Sequence, residues 1–113
     1  MKKLLLLPLI AISFVATAQT TAIPDANFEQ ELINLGYDNV IDGGVLTANI
    51  SGVTYLNFSF LTNFVSYNIS DLTGIEDFIA LETLDCYGNQ LTSLDVSQNI
   101  ALEDLNCGIN QLT

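Results

Sequence analysis

The chain has 113 residues, half of them apolar, with thirteen Asp and Glu against two Lys and no His. So high an apolar fraction excludes a disordered chain. The formal net charge of −11 disfavours nucleic acid and anionic lipid surfaces as partners, because both would repel it.

Lys2 and Lys3 precede an apolar run from Leu4 to Val15, and Ala16-Thr17-Ala18 follows. A basic start, an apolar middle and an A-x-A site describe a secretory signal peptide over residues 1–18. The run is too short to span a bilayer core of roughly 30 Å. The mature chain would begin at Gln19, with no Cys there to carry a lipid, and would be secreted or held at the cell surface. An uncleaved membrane anchor is the second reading. Cleavage would remove both Lys residues and leave a net side-chain charge of about −13. Without cations no internal salt bridge can form. Stability must then come from burial and backbone hydrogen bonding.

Residues 19–52 read as a helical cap and lead-in. In Ile23 to Gly36, Asp25 can cap a helix, early acids suit its dipole, and Gly36 can stop it. Phe28, Leu32 and Leu35, with Ile33 alongside, give one apolar face. Tyr37 to Gly44 (YDNVIDGG) carries Asp38, Asn39 and Asp42 before two glycines, a faint echo of a calcium loop. The spacing lacks the D-x-D-x-D-G order and the closing Glu, so a polar turn is the expectation. Val45 to Ile50 leads onward.

Residues 53–113 read as repeats. Val53-x-x-Leu56-x-Phe58 opens the first, residues 53–80, which carries an apolar insertion at 59–68, SFLTNFVSYN. The insertion is expected to fold onto the cap, with a binding loop as the other reading. Ile75 and Phe78 should tuck inward through a short helical turn. The second repeat, residues 81–101, and the incomplete third, 102–113, define the period. Ala80 to Thr92 (ALETLDCYGNQLT) and Ala101 to Thr113 (ALEDLNCGINQLT) are offset by 21 residues and agree at nine of thirteen positions. The shared pattern is L-x-x-L-x-C-x-x-N-x-L.

Leu84 and Cys86 are two apart and so share one face of a strand, with Asp85 and Tyr87 on the other. One such unit cannot bury its apolar face alone. Stacked units bury a continuous core, with parallel strands about 4.8 Å apart. Leu94-Asp95-Val96 should add a brief extended piece on the outer side, and Ser97 to Asn99 a turn. Cys86 and Cys107 fall in the same slot of consecutive repeats. Their side chains would run side by side, a poor start for a disulfide, so buried thiols are the expectation and a disulfide the second reading. Two thiols without His cannot complete a zinc site. Three N-x-S sequons, at Asn49, Asn57 and Asn68, are chance matches unless the host glycosylates them.

The pattern resembles the leucine-rich repeat, with Cys at an apolar slot. The fold class is therefore expected to be α/β: a leucine-rich repeat solenoid with short parallel strands on its concave face and an N-terminal helical cap. The resemblance implies that Asn89 and Asn110 form an internal ladder beside Cys86 and Cys107. The segments IPDANFEQELINLGYDN, ISDLTGIEDF and LTSLDVSQN look like those of secreted Bacteroidetes-type repeat proteins, internalin-like in architecture. That likeness implies protein or glycan binding at the cell surface and brings no catalytic residues.

The outward strand positions, Tyr55, Asn57, Thr83, Asp85, Tyr87, Asp104 and Asn106, form an acidic face with two tyrosines. It suits a basic protein patch or a sugar. Without His or Lys, the usual activated-nucleophile arrangements cannot be built. Only a carboxylate pair could hydrolyse glycosides, and nothing sets such a pair apart. A spacer presenting a further C-terminal domain is the other alternative. No cofactor is expected. Calcium between Glu82 and its neighbour Glu103 should bind weakly at most, as two carboxylates fall short of its usual ligand number.

The third repeat lacks the returning half that Leu91 to Ile100 gives the second. Residues 19–113 alone are therefore expected to fray beyond about Asn99 and to associate end to end, because an uncapped repeat leaves an unpaired strand edge. Two added repeats and a polar cap should raise the melting temperature and abolish the association. A monomer with protected amides at Leu105 and Cys107 in hydrogen exchange would refute that expectation.

Overall fold

The computed structural model describes residues 18–113. The expected signal segment, apart from Ala18, lies outside them. Among the described residues no helix is long and apolar enough to cross a membrane.

The cap is built around a helix whose two ends are written in the sequence. Helix α1 spans Ala26–Asn34, and Asp25 caps it, its Oδ1 accepting from the amides of Asn27 (2.9 Å) and Phe28 (3.1 Å). At the far end the Gly36 amide donates to Ile33 O (2.9 Å) and the Tyr37 amide to Leu32 O (2.8 Å). These two bonds close a Schellman turn, with Gly36 at φ 87° in the left-handed region. Phe28 and Leu32 are fully buried. Leu35, expected to face inward, is 50% exposed, because it caps the helix just before the chain turns away. Glu29 is buried in its stead.

A two-stranded antiparallel sheet flanks the helix. Strand β1 (Thr20–Ala22) pairs antiparallel with β2 (Gly44–Leu46), with Thr21 opposite Val45. A single turn, α2 (Thr47–Ile50), follows and buries Ile50.

Three short parallel strands form the second sheet: β3 (Tyr55–Asn57), β4 (Thr83–Asp85) and β5 (Asp104–Asn106). Leu56, Leu84 and Leu105 lie in line, as the repeat spacing requires. The strands are 28 and 21 residues apart, so the first connection holds the insertion. Between β3 and β4 a 3-10 turn at Ile75–Asp77 buries Ile75 and leads into buried Phe78. The Leu94–Val96 piece joins no ladder. Its Leu94 and Val96 are half-buried and Asp95 exposed, so the alternation survives without a partner strand.

The insertion departs from expectation. Ser59 caps a one-turn helix, α3 (Phe60–Asn63), through a bond from the Leu61 amide (3.2 Å). Phe60 packs over Gly88 of the following repeat, and its amide donates to Tyr87 O (2.9 Å). The insertion thus leans away from the cap. Its end returns to the core: Tyr67 packs against the buried cluster, and Asn68 O accepts from Asn27 Nδ2 of the cap at 3.0 Å. Phe64 takes a left-handed φ of 56° and is 76% exposed.

Aromatic packing joins cap to repeats. The Phe28 ring meets Phe58 edge-on at 5.6 Å and lies 6.1 Å from Phe78. At Gly74 (φ 107°) a Cβ would stand 2.7 Å from Ala22 O, so only glycine lets the turn approach β1 this closely. Asp25 makes the polar join. Its Oδ2 accepts from the Ser70 amide (2.9 Å), the Ser70 hydroxyl (3.1 Å) and the Asp71 amide (3.0 Å).

Burial alone would push the Asp25 carboxyl up. The hydrogen bonds from Ser70, Phe28 and Asp71 outweigh it and hold the carboxyl below its ordinary value. A depressed folded pKa gives stability that is complete above the unfolded value, about 3.9, and lost as pH falls through the folded one. Asp25→Asn should cost about 1–3 kcal/mol at neutral pH. In thermal melts the gap between wild type and variant should close as pH falls below about 4. A gap independent of pH would show that the Asp25 charge is not what joins cap to repeats.

Candidate functional site

The outward residues of the parallel sheet stand in columns. Tyr55, Thr83 and Asp104 are paired across the three strands, as are Asn57, Asp85 and Asn106. Tyr55 is 57% exposed. Asp104 and Asn106 are also exposed, while Asn57, Thr83, Asp85 and Tyr87 are half-buried. The structure thus brings six of the seven outward residues onto one sheet face, with a shallow depression of about 240 Å³ between β4 and β5. Tyr87 lies just beyond β4, its ring over Gly108 of the next repeat.

The second column has a structural duty that the sequence did not suggest. Asn57 Oδ1 accepts from the Ser59 amide (2.9 Å), Asp85 Oδ1 from the Tyr87 amide (3.1 Å) and Asn106 Oδ1 from the Gly108 amide (3.3 Å). Each closes an Asx turn that ends its strand. Asn57 also steadies the face, donating from Nδ2 to the Tyr55 hydroxyl at 3.0 Å. The first column, Tyr55, Thr83 and Asp104, has no such task and is the freer to meet a ligand.

Behind the sheet the asparagines form the ladder. Asn89 Nδ2 donates to Phe58 O (2.8 Å) and Cys86 O (3.0 Å), while its Oδ1 accepts from the Ile69 amide (3.1 Å). Asn110 repeats the pattern one step on. Its Nδ2 donates to Cys86 O and Cys107 O, both at 3.0 Å, and its Oδ1 accepts from the Leu91 amide at 3.0 Å. Sequence reasoning missed a third asparagine. Asn99, 4% exposed, donates to Ile75 O (2.8 Å) and Phe78 O (3.1 Å) and so ties the outer turn of one repeat to the 3-10 turn before it. Its signal was its place at the end of LTSLDVSQN, which reads equally well as a plain turn.

Cys86 is 1% exposed and Cys107 half-buried, and both are free thiols. Cys86 donates from Sγ to Asn106 O at 3.4 Å. Burial, reinforced by Cys107 and Asp85, pushes its pKa up to about 12, so it stays a protonated, unreactive filler of the core.

A second group of polar residues lies in the cap. Glu29, Asp38 and Asp42 each place a carboxylate oxygen within 4.8 Å of the others. Sequence reading picked out the two Asp residues, whereas Glu29 entered it only as one of the early acids that suit the helix dipole.

The fold is leucine-rich-repeat-like. It is similar to the solved functional domain of InlJ from Listeria monocytogenes, which includes a cysteine ladder, with a TM-score of 0.68 and 31% identity. The match covers 85% of this chain and 21% of that one, so the chain spans about a fifth of its neighbour's length. No family model matches the sequence, and neither does any curated protein.

The thiols provide a direct check on the packing. At mildly alkaline pH iodoacetamide should alkylate Cys107 in the native protein and Cys86 only after unfolding, a difference of at least about tenfold in rate. Equal native rates would mean that β5 does not cover Cys86.

Proposed function

We propose that this chain is a non-catalytic extracellular binding module, a leucine-rich repeat solenoid that recognises a protein or glycan through the concave face of its parallel sheet. The observation that carries this reading is the column of Tyr55, Thr83 and Asp104, aligned across three repeats with the second column fixed beside it. Aligned, evenly spaced side chains on a rigid sheet offer an extended surface rather than a pocket, which suits a macromolecular or oligomeric ligand. The cysteine ladder of the InlJ domain lends support, because Cys86 and Cys107 follow paired positions on adjacent strands. In this reading residues 1–18 are a signal peptide, 19–52 the cap and 53–113 the repeats.

Charge favours a cationic partner. Residues 18–113 contain no Lys, Arg or His, so no side-chain cation in this span competes for Asp85 and Asp104. A non-catalytic role fits the same inventory, since no side chain in this span can act as a general base near neutral pH except a carboxylate.

A small basic protein and a glycan array serve as probes. Association with a basic partner should weaken about tenfold or more from low to high salt. Asp85→Asn combined with Asp104→Asn should slow its on-rate while leaving the melting temperature within a few degrees. Affinity indifferent to salt and to both substitutions would refute the acidic-face reading.

A further inference from the structure

Three carboxylates meet at one corner of the cap. Glu29 comes from the first turn of α1, Asp38 from the turn after that helix, and Asp42 from the loop that enters β2. One oxygen of each lies within 4.8 Å of the others. Glu29 is 1% exposed. Its Oε1 accepts from the amides of Asp42 (2.9 Å) and Gly43 (3.2 Å), and its Oε2 from the Gly43 amide (3.0 Å). Asp42 is itself held, its Oδ1 accepting from the Gly44 amide at 3.2 Å. Asp38 Oδ1 accepts from the Asn39 amide at 2.8 Å. Its Oδ2 is wholly buried and has no hydrogen-bond donor at all.

Three negative charges at this spacing, one of them out of water, repel strongly unless something positive joins them. No side chain among residues 18–113 can supply it, because the span has no Lys, Arg or His. The two backbone amides occupy both acceptor sites of Glu29 Oε1 and one of Oε2, so Oε2 keeps a free lone pair. A proton shared between two of the acids would neutralise one charge and leave the third carboxylate facing the pair. A divalent cation would engage all three, including the orphaned Asp38 oxygen. The corner also opens onto a depression of about 410 Å³ lined by Asp38, Asn39, Asp42, Gly43 and the edge of β1, with room for waters to complete a coordination shell.

We propose that Glu29, Asp38 and Asp42 bind a hard divalent cation, with calcium the best match, and that the ion locks the loop before β2 onto helix α1. Three carboxylates plus water supply the all-oxygen, irregular shell that calcium accepts and magnesium does not favour. The arrangement differs from an EF-hand. Its third ligand, Glu29, comes thirteen residues before Asp42 instead of from the loop itself. The site stands apart from the sheet face and does not depend on the function proposed for it.

The experiment compares melting of the full chain in EDTA, in millimolar calcium and in millimolar magnesium, for wild type, Asp38→Asn and Asp95→Asn. Asp38 makes only one local hydrogen bond, so its amide variant should fold. Asp95, exposed in another part of the chain, controls for the loss of one negative charge. Calcium should raise the wild-type melting temperature by about 5 °C or more, and magnesium by less. Asp95→Asn should keep the calcium response and Asp38→Asn should lose it. Terbium luminescence sensitised by neighbouring Tyr37 gives a second readout, expected to be displaced by calcium and at least about tenfold weaker in affinity for Asp38→Asn. No calcium shift in wild type, or an equal shift in Asp38→Asn, would overturn the site. So would an Asp38→Asn variant that ignores calcium yet melts above wild type in both EDTA and calcium, the mark of acids that share a proton.

Discussion

Asn89 has two amide hydrogens, and the carbonyls of Phe58 and Cys86 stand where they can take both. Those carbonyls belong to consecutive repeats, so one side chain spans the join. Asn110 then donates to the same Cys86 carbonyl and to that of Cys107. Cys86 O is therefore shared by two asparagines, and the bonding runs from Phe58 to Cys107 without a break. A backbone turn buried behind a sheet leaves carbonyls that no strand partner can reach, and each would be costly unpaired. Asparagine answers this because it offers two donors and an acceptor on a short stem. Gln would overreach, and Asp would present no donor to the carbonyls. The same bond set spans the 28-residue step from Phe58 to Cys86 and the 21-residue step from Cys86 to Cys107, so it fixes how the strand ends stack and leaves the length of the connection free.

The acids play a corresponding part on the donor side. With no side-chain cation among residues 18–113, carboxylates bind backbone amides instead. Asp25 gathers amides from both the helix start and the Ser70 turn. Glu76 accepts from the Gly74 amide at 2.8 Å, Asp71 from the Thr73 amide at 2.8 Å and Asp95 from the Ser97 amide at 2.9 Å. Each of these closes a tight turn. The acidic composition is thus partly structural, and the charge left free for a ligand gathers where no amide claims it, as at Asp104.

The repeat register was legible in the sequence because the period acts locally. Leu56, Leu84 and Leu105 recur at fixed distance from their neighbours, so strand, inward face and partner follow from spacing alone. Helix α1 was legible for the same reason, with Asp25 and Gly36 marking its ends. The β1–β2 pairing was not. Thr20 to Ala22 is short and polar, and what makes it a strand is Gly44–Leu46 more than twenty residues on. The burial of Glu29 was hidden likewise, because its partners are amides in a loop thirteen and fourteen residues away. The direction of the insertion turned on Phe60 finding bare backbone at Gly88, which only the stacked repeats create. On the candidate face, the columns could be read from the strand pattern. The Asx turns that occupy Asn57, Asp85 and Asn106 could not, because they depend on how each strand ends.

Cap and sheet form one mechanical unit. The buried face of α1 delivers Phe28 against Phe58 and Phe78. Phe58 lies directly after β3, and its carbonyl is the first rung taken by Asn89. A shift of the helix would therefore move the start of the asparagine ladder and, with it, the strand that carries Tyr55. The same helix bears Glu29, which grips the loop before β2. Whatever fixes that acidic corner also fixes the helix on its other side, because packed interiors pass strain between neighbours without absorbing it. The charge balance of the cap thus bears on the geometry of a sheet face that it never touches.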